Sequence, residues 1–241
     1  MEMTAERDIL TAKALRVAFD PAHPEFEILL EAANIIRHGG VVAYPTETVY
    51  GLAVDPYNAK AVDRLYRIKG RQAARALILL ISQPGQAFDL ALMPGPVKRW
   101  YERLTAAFWP GPLTLVLPAR RHPVCPALAG GDSVAVRLSS DRVAWQLART
   151  AGLAITSTSA NRSGGEPASS ADQIDPTVAS QLDLIIDAGP TPGGPPSTIL
   201  SLTGRRPAIL RQGKVTADEI ASVIALHPIS LSPGGSGNEL A

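Results

Sequence analysis

Three cations lie within seven residues in the segment Lys69-Gly70-Arg71, with Arg75 four residues further on. Arginine's planar fork suits phosphate oxygens and lysine supplies a point charge, so the cluster can act as an anion clamp. A solvated basic turn would have the same composition. A second group, Thr46-Glu47-Thr48, sets two hydroxyls around one carboxylate directly after Pro45. It reads either as ligand contacts or as a turn whose threonines bond their own backbone. A third is Ser157-Thr158-Ser159-Ala160-Asn161-Arg162-Ser163-Gly164-Gly165. Its hydroxyls, amide and glycine backbone can close around a ligand, or form a plain connector. Arg137 stands between Val136 and Leu138 in a run that alternates from 133 to 138. A charge on a buried strand face needs a partner, which a bound carboxylate or an internal salt bridge would supply. Ser197-Thr198 and Arg211 set further polar groups beside later apolar runs.

The elements that must position these groups alternate between strand-like and helix-like patterns. Val41, Val42, Ala43 and Tyr44 form a short buried strand, entered through Gly39-Gly40 and stopped by Pro45, which cannot donate to a ladder. Polar side chains just past a buried strand are where open α/β sheets hold ligands. Residues 25–38 carry Phe26, Leu29, Leu30, Ala33 and Ile36 at helical spacing, with Gly39 as the stop. Asn58 is placed to cap a helix with Ala61, Val62, Leu65 and Ile68 on one face, which delivers the cation cluster. Strands are expected at 76–81, 113–117, 133–138, 153–156, 184–186, 197–200 and 208–210. Helices are expected at 94–108, from the Ser140-Asp141 cap to about 150, in a short Pro-interrupted stretch of 171–182, and after the capping box Thr216-Ala217-Asp218-Glu219. The expected fold is therefore a single α/β domain: a twisted open sheet of mixed parallel and antiparallel strands, with flanking helices and a concave, locally basic face. Residues 1–24 read as an N-terminal extension with one strand at 14–17, residues 25–227 as the domain, and 228–241 as a Ser/Pro/Gly-rich disordered tail.

Composition narrows the classes. A hydrophobic content of 46% with few aromatics fits an ordinary soluble domain, and a formal net charge of +1 is no evidence for a nucleic-acid partner. The single cysteine, Cys125, excludes an intrachain disulfide and fits a reducing compartment. No apolar run reaches the roughly 18 residues needed to span a bilayer, and residues 1–10 lack a secretory h-region, so a cytoplasmic protein without membrane association is expected. No P-loop or Gly-x-Gly-x-x-Gly fingerprint is present, and the four histidines are too scattered for a metal site.

Seven ordered pieces carry a family resemblance. Pro45-Thr46-Glu47-Thr48-Val49-Tyr50-Gly51-Leu52, Lys69-x-Arg71 with Arg75, Trp109-Pro110-Gly111-Pro112-Leu113-Thr114, Val136-Arg137-Leu138, Thr158-Ser159-Ala160-Asn161-x-Ser163-Gly164, Pro196-Ser197-Thr198-Ile199 and Leu210-Arg211-x-Gly213 resemble the motifs of the YrdC-type threonylcarbamoyl-AMP synthases. The match runs over roughly residues 26–220. One departure is Gln72, where the family follows its Lys-x-Arg with proline, which loosens the constraint on the clamp loop. The chain also resembles the short, single-domain form of the family.

The resemblance implies a nucleotidyltransferase that joins L-threonine, bicarbonate or CO2 and ATP into threonylcarbamoyl-adenylate, releasing pyrophosphate. The product would feed the N6-threonylcarbamoyl modification of tRNA adenosine 37 through a downstream transferase complex, with room for a weak tRNA contact. It further implies that Lys69, Arg71 and Arg75 hold the triphosphate with Mg2+, Lys69 and Arg71 being catalytic. Thr46, Arg137 and Thr158 would bind threonine, with Arg137 as a bidentate fork on its carboxylate. Thr114, Ser159, Asn161, Ser163, Ser197 and Arg211 would line the nucleotide region; no protein cluster is expected for the metal. Two alternatives remain: an RNA-binding module for tRNA or rRNA with no chemistry of its own, and another carbamoyl-transfer enzyme built on this domain type.

Overall fold

Short strands linked mostly through helices make up the protein, and the computed structural model describes residues 14–23, 25–70, 76–121 and 125–224. In chain order the elements are β1 (Leu15–Ala18), α1 (Phe26–Arg37), β2 (Val42–Tyr44), β3 (Gly51–Ala53), α2 (Ala59–Lys69), β4 (Ile78–Leu80), α3 (Ala87–Leu90), α4 (Gly95–Phe108), β5 (Leu113–Pro118), β6 (Ser133–Arg137), α5 (Arg142–Ala151), β7 (Ile155–Thr156), β8 (Thr158–Ser159), α6 (Pro176–Ala179), β9 (Leu184–Asp187), β10 (Thr198–Ser201), β11 (Ala208–Arg211) and α7 (Ala217–Ile224).

The strands form two hydrogen-bonded ladders, in the orders β1-β9-β2-β3-β8 and β11-β10-β5-β6-β4-β7. Both are mixed: β2 is parallel to β9 and antiparallel to β3, and β6 is parallel to β4 and antiparallel to β5. The mixed α/β architecture is the expected one, but its sheet is divided. The division falls at one short segment. β7 pairs with β4 in the second ladder, and after Ser157 alone β8 pairs with β3 in the first. The Thr156 side chain bridges the gap: its Oγ1 accepts from Val54 N at 3.0 Å and donates to Leu52 O at 3.1 Å. The strand expected at 14–17 is β1, which pairs in parallel with β9 and so forms an edge of the first ladder. Residues 1–13 and the expected tail at 228–241 lie outside the described residues.

Side chains alternate along the strands, and on the inner strands, unlike the edge strands β1 and β11, both faces are buried. On β2, Val42 and Tyr44 enter a smaller core with α1 and α5, while Val41 and Ala43 enter the larger one. Such a strand reads as a continuous apolar run. The α1 stripe is Leu29, Ala32, Ala33 and Ile36, and the α5 stripe is Val143, Ala144, Leu147, Ala148 and Ala151. Three helices are set by their ends. Asn58 caps α2 by accepting from Ala61 N at 3.2 Å, and Gly70 at φ 57° closes it in the left-handed region. Asp141 caps α5 by accepting from Ala144 N at 2.9 Å. The reciprocal Thr216–Glu219 capping box starts α7, with Thr216 N donating to Glu219 Oε2 at 2.7 Å and Glu219 N to Thr216 Oγ1 at 3.3 Å. Among the described residues no helix is long and apolar enough to cross a membrane.

Gly213 is required for a different reason, close approach of backbone. A Cβ there would stand 2.5 Å from Ser197 C and 2.6 Å from Thr198 N, inside the van der Waals limit and against atoms that cannot rotate away. Gly213→Ala should therefore cost on the order of 1–3 kcal/mol through forced backbone displacement. Urea unfolding with a wild-type midpoint would contradict this.

Candidate functional site

A cavity of about 680 Å³ opens where the two ladders meet, and its walls come from both. The turn after β2 gives Thr46 and Thr48, the end of α2 gives Lys69 and Gly70, and β6 gives Arg137. Ser157, Thr158, Ser159, Asn161 and Ser163 come from the crossing segment and the loop beyond it, and Ser197 and Arg211 from the β10–β11 side. The volume falls within the roughly 300–1,000 Å³ usual for small-molecule sites.

Thr46 is both a turn residue and a wall residue. Its Oγ1 donates to Val49 O at 2.7 Å and accepts from Val49 N and Thr48 N, each at 3.2 Å. The turn reading of this threonine therefore holds, and the same residue lines the cavity. Lys69 is buried at 2% exposure, and its Nζ donates to Ser159 O at 2.5 Å and Asn161 O at 2.8 Å. In return Ser163 N donates to Lys69 O at 2.9 Å. The ammonium satisfies carbonyls that no ladder uses, so α2 and the polar loop are held as one unit. Asn161 closes the loop on itself, its Nδ2 donating to Gly165 O at 2.5 Å while Oδ1 accepts from Ser159 Oγ at 2.5 Å. Thr158 Oγ1 is buried at the cavity wall and has no hydrogen-bond partner among the described residues.

Arg137 resolves the choice left by its sequence position. Its Nη2 lies 2.7 Å from Glu47 Oε2, with the two side chains 7% and 10% exposed. The contact pairs the charges but misses hydrogen-bond alignment, since Arg137 Nε and Nη2 and Glu47 Oε1 are all buried without hydrogen-bond partners. Ser139 Oγ donates to the same Glu47 Oε2. The Nε/Nη2 edge, expected as a fork for a ligand, is thus turned inward, and Nη1 is the guanidinium nitrogen left for the cavity.

On the far wall, Arg211 donates from Nη2 to Ser197 O at 2.9 Å and to Ser197 Oγ at 3.2 Å. Burial, helped by the charge of Arg137, pushes the Arg211 guanidinium down to about 10, which leaves it cationic at neutral pH. Two arginines that feel each other across a cavity make a ready site for an anion.

Of the residues expected at a site, Thr46, Lys69, Arg137, Thr158, Ser159, Asn161, Ser163, Ser197 and Arg211 all reach this cavity. Thr114 is fully buried behind the wall, its Oγ1 3.0 Å from Ser197 Oγ, so it holds a wall residue instead of lining the space. Arg71 and Arg75 lie outside the described residues. Sequence reasoning placed Ser157 in the polar loop without giving it a role of its own, and it missed Ser139. Ser157 is the one residue between two pairing segments, and its role depends on where the ladders divide. Ser139 follows the arginine strand, a position that spacing alone does not distinguish. The lone cysteine is no nucleophile: burial pushes the Cys125 thiol up to about 11.

Breaking the buried pair from one side should be costly. Arg137→Met leaves Glu47 buried without its counter-charge and should lose about 3–5 kcal/mol, whereas Arg137→Met with Glu47→Met should recover most of it. Equal urea midpoints for the single and double variants would show that the pair is not energetically coupled.

A family model described as "Telomere recombination", covering Sua5, YciO and YrdC, matches residues 34–213. A Bacillus subtilis protein named threonylcarbamoyl-AMP synthase is 37% identical over 207 residues, 86% of this chain and 58% of its own length. A protein of the same name from Nitrosococcus oceani is 39% identical over 196 residues, 80% of this chain and 96% of its own. The crystal structure of Pyrococcus abyssi Sua5 complexed with L-threonine superposes with a TM-score of 0.80 at 36% identity, over 91% of this chain and 62% of that one. This chain thus spans about three-fifths of the Bacillus and Pyrococcus proteins and nearly all of the Nitrosococcus one. With a matching model over most of its length and relatives at this identity, the chain belongs to the Sua5/YciO/YrdC family.

Proposed function

We propose that this protein is a threonylcarbamoyl-AMP synthase, forming the adenylate and pyrophosphate from L-threonine, bicarbonate or CO2, and ATP. The observation that carries this reading is the convergence of Lys69, Arg137 and Arg211 with the hydroxyls of Thr46, Thr158, Ser159 and Ser197 on one cavity. Relatives bearing that name, and a relative whose structure holds L-threonine, support it.

In the proposed reaction the neutral threonine amine adds to CO2 to give a carbamate, and the N–H proton released passes to solvent. A carbamate oxygen then attacks the α-phosphorus of ATP, and the bond to the β,γ-pyrophosphate breaks. Arg137, through Nη1, and Thr158, through its unpartnered Oγ1, would bind the amino acid, with Thr46 at the turn. Lys69, Arg211, Ser159, Asn161, Ser163 and Ser197 would bind the nucleotide, joined by Arg71 and Arg75. Mg2+ would arrive on the ATP phosphates: among the described residues no group of three or more His, Cys, Asp or Glu side chains is placed to hold a metal. Bound there, it would neutralise phosphate charge. The product would pass to a tRNA-modifying transferase in the cytoplasm.

The RNA-binding reading fits the geometry less well. Sequence-tolerant RNA binders present aromatic rings for stacking, whereas the cavity's tyrosine, Tyr50, is fully buried with its hydroxyl donating to Gly189 O at 2.7 Å. Pyrophosphate release from ATP and bicarbonate, measured with and without L-threonine, tests the proposal. It should depend on threonine, and Arg71→Ala should abolish it while the protein stays folded. Threonine-independent turnover, or salt-sensitive RNA binding without turnover, would overturn it.

A further inference from the structure

We propose that Ser139, acting through Glu47, is a positioning residue for Arg137, so that a side chain outside the cavity wall sets how strongly the site grips a ligand carboxylate. The proposal rests on the threonine-binding role suggested for Arg137 and deepens it.

The hydrogen-bond directions are determined by chemistry. Asp141 N donates to Ser139 Oγ at 3.1 Å, and a backbone N–H can only donate. The Ser139 hydroxyl is therefore an acceptor on that side and has its own proton free for Glu47 Oε2, which as a carboxylate oxygen can only accept. Asp141 is itself fixed, because its side chain caps α5 through Ala144 N. The chain of contacts therefore runs from the first turn of α5, through Ser139 and Glu47, to Arg137 at the end of β6. All three side chains are shut off from water, with Ser139 1%, Glu47 8% and Arg137 5% exposed as residues.

Glu47 has one other way to be held, and it is unused: Oε1 is buried with no hydrogen-bond partner. Its contact to Arg137 also lacks hydrogen-bond alignment, so the carboxylate's orientation depends on Ser139. Without that bond Glu47 could rotate to offer both oxygens to the Nε/Nη2 edge, which has two unmatched donors. Such a closed pair would satisfy the arginine internally and draw the guanidinium away from the cavity. Ser139 prevents this by tying Oε2 to the α5 turn. The arginine is left with its charge compensated and with Nη1 still directed to the cavity, where an incoming carboxylate adds hydrogen bonds.

The test compares binding of L-threonine with that of L-threonine amide, which keeps the amine, hydroxyl and methyl groups but lacks the carboxylate. Titration calorimetry in the presence of a non-hydrolysable ATP analogue should show the wild type preferring the acid. Ser139→Ala should cut that preference about tenfold, with the affinity for the ATP analogue unchanged within twofold. A role confined to stability would weaken both amino-acid ligands equally, and that result would overturn the proposal. Full retention of the preference in Ser139→Ala would do the same. Ser139→Cys, similar in size but a weaker donor, carries the same comparison should the alanine variant not fold; loss of folding in both would assign Ser139 to the core and end the proposal. Should the wild type itself not distinguish the acid from the amide, the threonine-binding role of Arg137 fails first.

Discussion

Everything in this molecule that bears on the cavity depends on five residues, 155–159, that serve two ladders in turn. Ile155 and Thr156 pair with β4, and Thr158 and Ser159 pair with β3. A chain that crosses between sheets in one residue has no slack. Its backbone groups are committed on both sides, with Ser157 N donating to Ile78 O at 2.8 Å and Thr156 N to Val54 O at 3.1 Å. The side chains at the crossing are left to face the gap between the ladders. The chain is polar just where two apolar sheets part, and the cavity is that parting.

The same geometry explains why a lysine is buried there. At the end of β8 the backbone turns back on itself, with Asn161 N donating to Ser159 O at 2.9 Å, and the carbonyls of Ser159 and Asn161 accept from a further donor. Lys69 supplies it from the last turn of α2, where the left-handed Gly70 ends the helix. Hydrogen bonds to a charged group contribute roughly 1.5–3 kcal/mol each, enough to offset much of the cost of desolvating one ammonium. The cavity thereby acquires a fixed positive charge as a by-product of satisfying its own loop. Arg137 has its charge compensated by Glu47, while among the described residues Arg211 is held by the neutral Ser197. The described lining thus concentrates Lys69, Arg137 and Arg211 and holds no carboxylate, although the whole chain carries a formal charge of only +1.

Most of the elements were legible in the sequence because their signals are local. Asn58, Asp141 and the Thr216–Glu219 box announce helix starts, and Gly39 announces an end, all through bonds or torsions within a few residues. The buried strands stood out as apolar runs because both of their faces are covered. What was not legible was long-range. Nothing in 153–165 says that its first pair of strand residues belongs to one ladder and its second to another, so β8 was read as loop. β3, only Gly51–Ala53, lies hidden within the motif that follows the turn. The Arg137 ambiguity between ligand and internal partner needed the 92-residue separation of Glu47 and Ser139 to be closed in space, which no spacing rule supplies. Thr114 was placed in the nucleotide region by the resemblance alone, and a motif does not show whether another side chain, here Ser197, lies in front of it.

The lining itself limits the kind of chemistry this site can perform. Among its described residues there is no histidine, cysteine, aspartate or glutamate, and the nearest carboxylate, Glu47, is committed behind Arg137. The hydroxyls of Thr46, Ser159 and Ser197 are engaged with neighbouring protein atoms, so none is poised beside a base as a nucleophile would be. Among the described residues the lining therefore offers cations, hydroxyls and amides instead of carboxylates, imidazoles or thiols. It can hold anions, orient polar ligands and stabilise charge that develops between them. That suits a reaction whose nucleophile and leaving group are both brought by the substrates, and in which alignment and electrostatic stabilisation supply the acceleration. Attack of a carbamate on a nucleotide phosphorus is such a reaction, since the attacking oxygen already carries negative charge and the departing pyrophosphate is anionic.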